Sequence, residues 1–205
     1  MVRTTQDDER ENMQVELFDL TPLQGRSNKY IPDAILANGE EEHFIELKTS
    51  DERRRQVSTA RNVTLAKIDE WEKVWWVFSL YRKDGKGKCS LVEHYLGDKD
   101  MLGEWFNQQR KKINEGTKTY GGLDSWQEAY GILLEHMDNT QLNKLDHTFR
   151  MRGMGLNDPK ISWSYIERNC IKLDNNDLAS DLRRLVLEKN TEKNSRSFSD
   201  QSNSI

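Results

Sequence analysis

Two carboxylates and one amine stand close enough in this chain to share a site. Asp33 follows Pro32, and Glu46 and Lys48 flank Leu47. Between them lies Asn38-Gly39, a strong hairpin signal because a type I′ turn needs positive φ at both central residues. Side chains on a strand alternate faces, so Glu46 and Lys48 point one way while Ile45 and Leu47 point the other. A two-residue turn at Asn38-Gly39 pairs Ala37 with Glu40 and makes Asp33 the diagonal neighbour of Glu46. A four-residue loop sets Asp33 and Glu46 directly opposite each other. Either even-length loop brings both carboxylates and the ammonium to one face, whereas an odd loop without a bulge separates them. Two carboxylates so placed form a hard-oxygen site suited to Mg²⁺. Such an ion polarises a phosphodiester, activates a bound water and stabilises the departing alkoxide. A lysine beside it can hold the attacking water and offset charge on phosphorus.

The elements that must position this set read as follows. A short helix is expected over Thr4 to Met13, then an alternating strand from Val15 to Leu20, with Pro22 and Gly25 in the loop after it. Strands follow over Ile31–Ala37 and His43–Thr49. A basic loop leads to a helix from about Ser58 to Trp71, on which Thr64, Ile68 and Trp71 share a face. Val74 to Tyr81 is apolar on both parities, as a central strand covered on both sides should be. Gly85 and Gly87 turn it into a further strand, Cys89–Leu96. The fold class is therefore α/β, a central mixed sheet flanked by helices. Beyond Gly97 the pattern is helical: Met101, Leu102, Trp105, Phe106 and Ile113 line one helix, Trp126 to Met137 a second, and Leu178, Leu182, Leu185 and Val186 a last one. The organisation reads as a catalytic core over 1–97, a helical part over 98–189 packed on it, and a polar, disordered tail over 190–205.

In so charged a chain an Asp followed by Glu-X-Lys also arises by chance, and a structural α/β protein with a coincidental motif is the plain alternative. Three features set this motif apart. Its lysine sits inside an apolar strand, its aspartate follows a proline where a strand begins, and the whole falls between a first helix and a βαβ crossover. The run Pro32-Asp33…Glu46-Leu47-Lys48, followed by a helix and an apolar strand, resembles the PD-(D/E)xK nuclease superfamily. The resemblance covers residues 1–96. It implies a restriction-endonuclease-like αβββαβ core and a Mg²⁺-dependent nuclease leaving 5′-phosphate and 3′-hydroxyl ends. Asp33 and Glu46 would be the metal-binding acids, with Leu47 in the metal site and Lys48 the catalytic lysine. Such families often add an acid from the first helix. Glu9, Glu11 and Glu16 compete for that role, and Glu11 is preferred because Glu16 falls on the expected strand.

Contacts to DNA are expected from Arg53, Arg54, Arg55, Ser58, Thr59, Arg61 and Asn62, which follow the catalytic strand directly. Arginines, hydroxyls and a helix N-terminus there can bind phosphates. Arg152 and Lys160, in a glycine-interrupted basic loop, are further candidates for groove contact. The run Arg82, Lys83, Lys86, Lys88 reads as a solvated hairpin tip, and the tryptophans read as core. The four histidines have no catalytic spacing, and no phosphate-binding loop with its lysine occurs, so no nucleotide cofactor is expected.

The rest of the 205 residues constrain the partners. The net charge of −4 excludes a uniformly basic coat but not a local basic groove. No stretch approaches the ~20 apolar residues of a membrane span. Cys89 and Cys170 stand alone, as free thiols in a reducing cytoplasm would. The leading reading is a type II restriction endonuclease acting on double-stranded DNA as a homodimer, since one site cuts one strand and two-fold symmetry matches a palindrome. The alternatives are another nuclease of the superfamily, serving repair, recombination or phage DNA processing, and a non-catalytic DNA-binding module of the same fold.

Overall fold

A computed structural model describes residues 6–23, 32–60, 63–118, 156, 158–173 and 176–202. Its elements are α1 (Gln6–Leu17), β1 (Thr21–Pro22), β2 (Ala34–Asn38), β3 (Glu41–Asp51), β4 (Gln56–Ser58), α2 (Leu65–Trp71), β5 (Trp75–Lys83), β6 (Cys89–Gly97), α3 (Gly103–Lys118), β7 (Lys160–Ser162), α4 (Trp163–Asn169), β8 (Ile171–Lys172) and α5 (Leu178–Ser202). The main sheet runs β1-β2-β3-β5-β6-β8. Only β3 and β5 are parallel; every other pair in it is antiparallel. The fold is thus α/β with a mixed central sheet.

The sheet is covered on both sides, and the β3–β5 register shows which residue serves which layer. Ile45 and Leu47 lie beside Trp75 and Val77 and face α1 and α5, where Phe18, Leu20, Leu178, Leu182 and Val186 complete one core. Glu46 and Lys48 lie beside Trp76 and Phe78 and face the other layer, built on Ile68 and Trp71 of α2, Trp105 and Phe106 of α3, and Trp163 and Ile166 of α4. The alternation along β3 therefore puts the chemistry on the aromatic side. Trp71, Trp76, Trp105 and Phe106 pack edge to face or tilted there. Truncating one such buried ring costs about 3–5 kcal/mol.

The hairpin at Gly39 differs from the expected type I′ turn. Asn38 pairs with Glu41, so Gly39 and Glu40 form the loop. Gly39 has φ 64°, whereas Glu40 does not enter the positive region. This is the φ pattern of a type II′ turn, which asks for glycine at its first central position only. Ala34 consequently pairs with Ile45, which is the register of the four-residue alternative.

Several elements depart from the sequence expectation. Val15 to Leu17 continue α1 rather than begin a strand, and the first strand is the short β1, which pairs with β2. The expected helix from Ser58 is replaced by β4, and α2 starts only after Thr64, whose hydroxyl caps the Lys67 amide. The 98–189 part is not only helical. β7 pairs with β4, and β8 adds to the main sheet beside β6, because short apolar runs such as Ile161 find open strand edges that no local pattern reveals. The helix expected over Trp126 to Met137 lies outside the described residues. α5 continues beyond Asn190 to Ser202, into the segment expected as a disordered tail. That segment has few apolar residues but also lacks proline and glycine, so a helix docked at its N-terminal half can propagate through it. No described helix is long and apolar enough to cross a membrane.

Candidate active site

β2 ends its ladder at Ala34, and from there no described strand continues beside β3 on that side. Asp33 fills the gap. Its amide donates to the Ile45 carbonyl at 3.1 Å, and its Oδ2 accepts the Leu47 amide at 2.8 Å. The backbone thereby aims the carboxylate before any ligand arrives. Lys48 Nζ meets three oxygens: Glu46 Oε1 at 2.6 Å, the Leu47 carbonyl at 2.9 Å and Asp33 Oδ2 at 3.3 Å. The three side chains expected to converge do converge.

Burial makes these contacts strong. The side chains of Glu46, Lys48 and Asp33 are 6%, 13% and 19% exposed. Desolvation alone pulls the Lys48 ammonium toward the neutral amine, but the Asp33 and Glu46 carboxylates together outweigh it and hold its pKa above the ordinary lysine range. Lys48 is therefore an ammonium, a donor and not a base. Its Nζ also lies 5.9 Å from the centre of the Trp76 ring.

The donor set fits a hard divalent cation. Asp33 Oδ2, Glu46 Oε1 and the Leu47 carbonyl already surround one positive charge, and all three are oxygen ligands of the kind Mg²⁺ prefers. Among the described residues no group of three or more His, Cys, Asp or Glu could hold a metal ion. The centre is thus two acids and a carbonyl, which leaves coordination positions for water and substrate oxygens.

A cleft of about 200 Å³ opens onto Lys48, lined also by Glu11, Gln14, Leu47, Thr49, Ser58 and Thr59. Glu11 thus reaches the cleft from α1. Glu9 and Glu16 lie on the same helix but not in the cleft lining, and Glu16 is exposed. Gln14 was not singled out in the sequence. It is buried, and its Nε2 donates to Ser79 Oγ and to the Val77 and Lys48 carbonyls, while its Oε1 has no partner among the described residues. Arg10, one turn earlier, donates to Thr49 Oγ1 and stacks over Tyr81. Arg10, Gln14 and Phe18 follow each other at i, i+4, so polar residues share the buried stripe of α1. That spacing was the available signal.

No family model and no curated protein matches this chain. What the site can do is read from its own chemistry.

The residues expected to touch DNA divide into four groups. Arg53 and Arg54 are exposed on the turn after β3. Arg55, held at φ 47°, is paired with Glu167 of α4, and its carbonyl accepts the Trp163 amide, so it joins β4 to α4 rather than standing free. Ser58 and Thr59 do not open a helix. Ser58 lies on β4 opposite Lys160 and accepts from its ammonium, which also pairs with Asp158, and Thr59 donates to the Pro159 carbonyl. The expected helix dipole at these two residues is therefore absent, and a two-stranded ribbon takes its place beside the cleft. Arg61, Asn62 and Arg152 lie outside the described residues. The hairpin tip at Arg82 to Lys88 is exposed, and Arg82 forms a two-point pair with Glu52.

Proposed function

We propose that this chain is a divalent-metal-dependent DNA endonuclease of the PD-(D/E)xK type, with a restriction-endonuclease-like core. The observation that carries the reading is the convergence of Asp33 Oδ2, Glu46 Oε1 and the Leu47 carbonyl on one ammonium at the open edge of β3. The order helix α1, strands β1 to β4, helix α2 and strand β5, with β3 and β5 parallel, lends support to this reading. The more specific reading is a type II restriction endonuclease working as a homodimer on duplex DNA.

Mg²⁺, when bound, would supply electrophilic activation of the phosphodiester and of a water. Asp33, Glu46 and the Leu47 carbonyl would hold it. Lys48, freed from the two carboxylates, would turn its ammonium toward the attacking water and the non-bridging phosphate oxygen. There it offsets the charge that grows as the pentavalent phosphorus forms. Asp33, fixed by the Leu47 amide, needs no rearrangement for this role. The cleft between α1 and the β4–β7 ribbon gives the scissile strand a path to Lys48.

The test is incubation with plasmid and genomic DNA in Mg²⁺ or EDTA. Discrete, Mg²⁺-dependent fragments are expected, and both Asp33→Ala and Lys48→Ala should abolish them. A smear would replace the restriction reading with an unspecific or structure-selective nuclease. Binding without cutting would point to the DNA-binding module.

A further inference from the structure

A second lysine approaches the same site from the helical layer. Lys67 lies on the inward face of α2 with Ile68 and Trp71 and is 9% exposed. Its ammonium sits 5.2 Å from the centre of the Trp71 ring, and Lys48 sits 5.9 Å from that of Trp76. The two indoles pack edge to face at 68°, with centroids 5.1 Å apart, and so link the two ammonium groups through one aromatic pair. Lys48 is neutralised by two carboxylates. Among the described residues none pairs with Lys67.

The Lys67 stem lies buried on Trp71, while its ammonium, which is not a buried unsatisfied atom, still reaches solvent and can meet a ligand there. Burial lowers the Lys67 pKa. The leading charge that works against this is Glu46, with Asp33 adding to it and Lys48 opposing, which ties Lys67 electrostatically to the proposed centre. Asp33, Glu46, Lys48 and Lys67 together sum to zero. An ion of charge +2 would leave that group with a surplus suited to a phosphate whose negative charge grows as it reacts.

We propose that Lys67 is a second phosphate-binding ammonium of this site, presented from α2 to the phosphodiester that Lys48 meets from β3. The proposal rests on the nuclease reading. It assigns Lys67 a contact to a non-bridging phosphate oxygen, formed beside the Trp71–Trp76 pair.

The experiment compares wild type, Lys67→Met and Lys67→Arg as full-length chains. Single-turnover cleavage of supercoiled plasmid in Mg²⁺ is measured beside the thermal unfolding midpoint. Lys67→Met should slow cleavage by about 10- to 100-fold at an unchanged or higher midpoint, and Lys67→Arg should recover much of the loss. Cleavage by Lys67→Met at the wild-type rate overturns the proposal. So does a loss that tracks a lowered midpoint and is not recovered by arginine. A second readout does not depend on hydrolysis: reductive methylation of Lys67, followed by peptide mass spectrometry, with Ca²⁺ and a short DNA duplex present or absent. Protection by the duplex of about 5-fold or more is expected from a direct phosphate contact. If the wild type does not cut DNA, the nuclease reading falls. Methylation then decides the contact alone: protection sustains it, and equal reactivity with and without duplex removes it.

Discussion

The Lys48 ammonium stands 2.6 Å from Glu46 Oε1 and occupies the point where the oxygens of Asp33 and Leu47 also meet. A lysine in that position acts as a resident cation. A divalent ion and the ammonium then compete for one set of oxygens, and their roles separate on substitution.

Lys48→Met should therefore bind Mn²⁺ several-fold more tightly than wild type while cleavage falls by more than about 100-fold. Asp33→Asn should lose both. Titration calorimetry with Mn²⁺ and a plasmid assay measure the two quantities. Weaker Mn²⁺ binding by Lys48→Met would show that the ammonium does not occupy the cation position.

The arginines after β3 should behave differently from one another. Arg53 and Arg54 are exposed, whereas Arg55 is engaged with Glu167. Reversing both exposed charges, Arg53→Glu with Arg54→Glu, should weaken duplex binding and reduce the slope of log K against log salt by about 1 to 2. Arg55→Ala should leave that slope unchanged. Fluorescence anisotropy over a salt series distinguishes the cases, and equal slopes for all three proteins would remove this turn from the DNA contact.

His94 gives the fold a pH dependence of definite sign. Its Nδ1 shares a hydrogen bond with Ser79 Oγ, which Gln14 also reaches, and Phe18 packs against its ring. Burial lowers its pKa from 6.5 to about 4, only partly offset by Glu93. The unfolded chain thus binds this proton first as pH falls. Stability is full above pH 6.5 and declines as pH drops toward 4, by about 3 kcal/mol in all. Urea unfolding between pH 7 and 5, where carboxylates contribute little, should show the decline. His94→Gln should flatten it, and an equally steep curve in that variant would assign the effect elsewhere.

The convergence of Asp33, Glu46 and Lys48 was legible because strand parity is local: Glu46 and Lys48 share a face wherever the strand lies. The turn was not, since Asn38-Gly39 is compatible with two registers of even length and only the pairing of Asn38 with Glu41 chooses between them. Lys67 and Gln14 escaped notice for another reason. A lysine or glutamine in a short helix normally marks the wet side, and here each lies on the buried one. β4, β7 and β8 are two or three residues long, too short for any periodicity to register, and they exist because a distant edge accepts them. Ser58, whose local sequence suggests a helix start, accordingly belongs to a ribbon instead.

β8 pairs Ile171 and Lys172 with Leu96 and Tyr95, while Leu173 and the α5 residues Leu178, Leu182 and Val186 fill the layer beneath Ile45 and Leu47. The segment carrying Asp33, Glu46 and Lys48 therefore cannot be cut out as an autonomous unit. A fragment ending near Gly97 would expose the β6 backbone to any passing strand and strip the support from under β3. Such a fragment would self-associate through that edge rather than report on the chemistry.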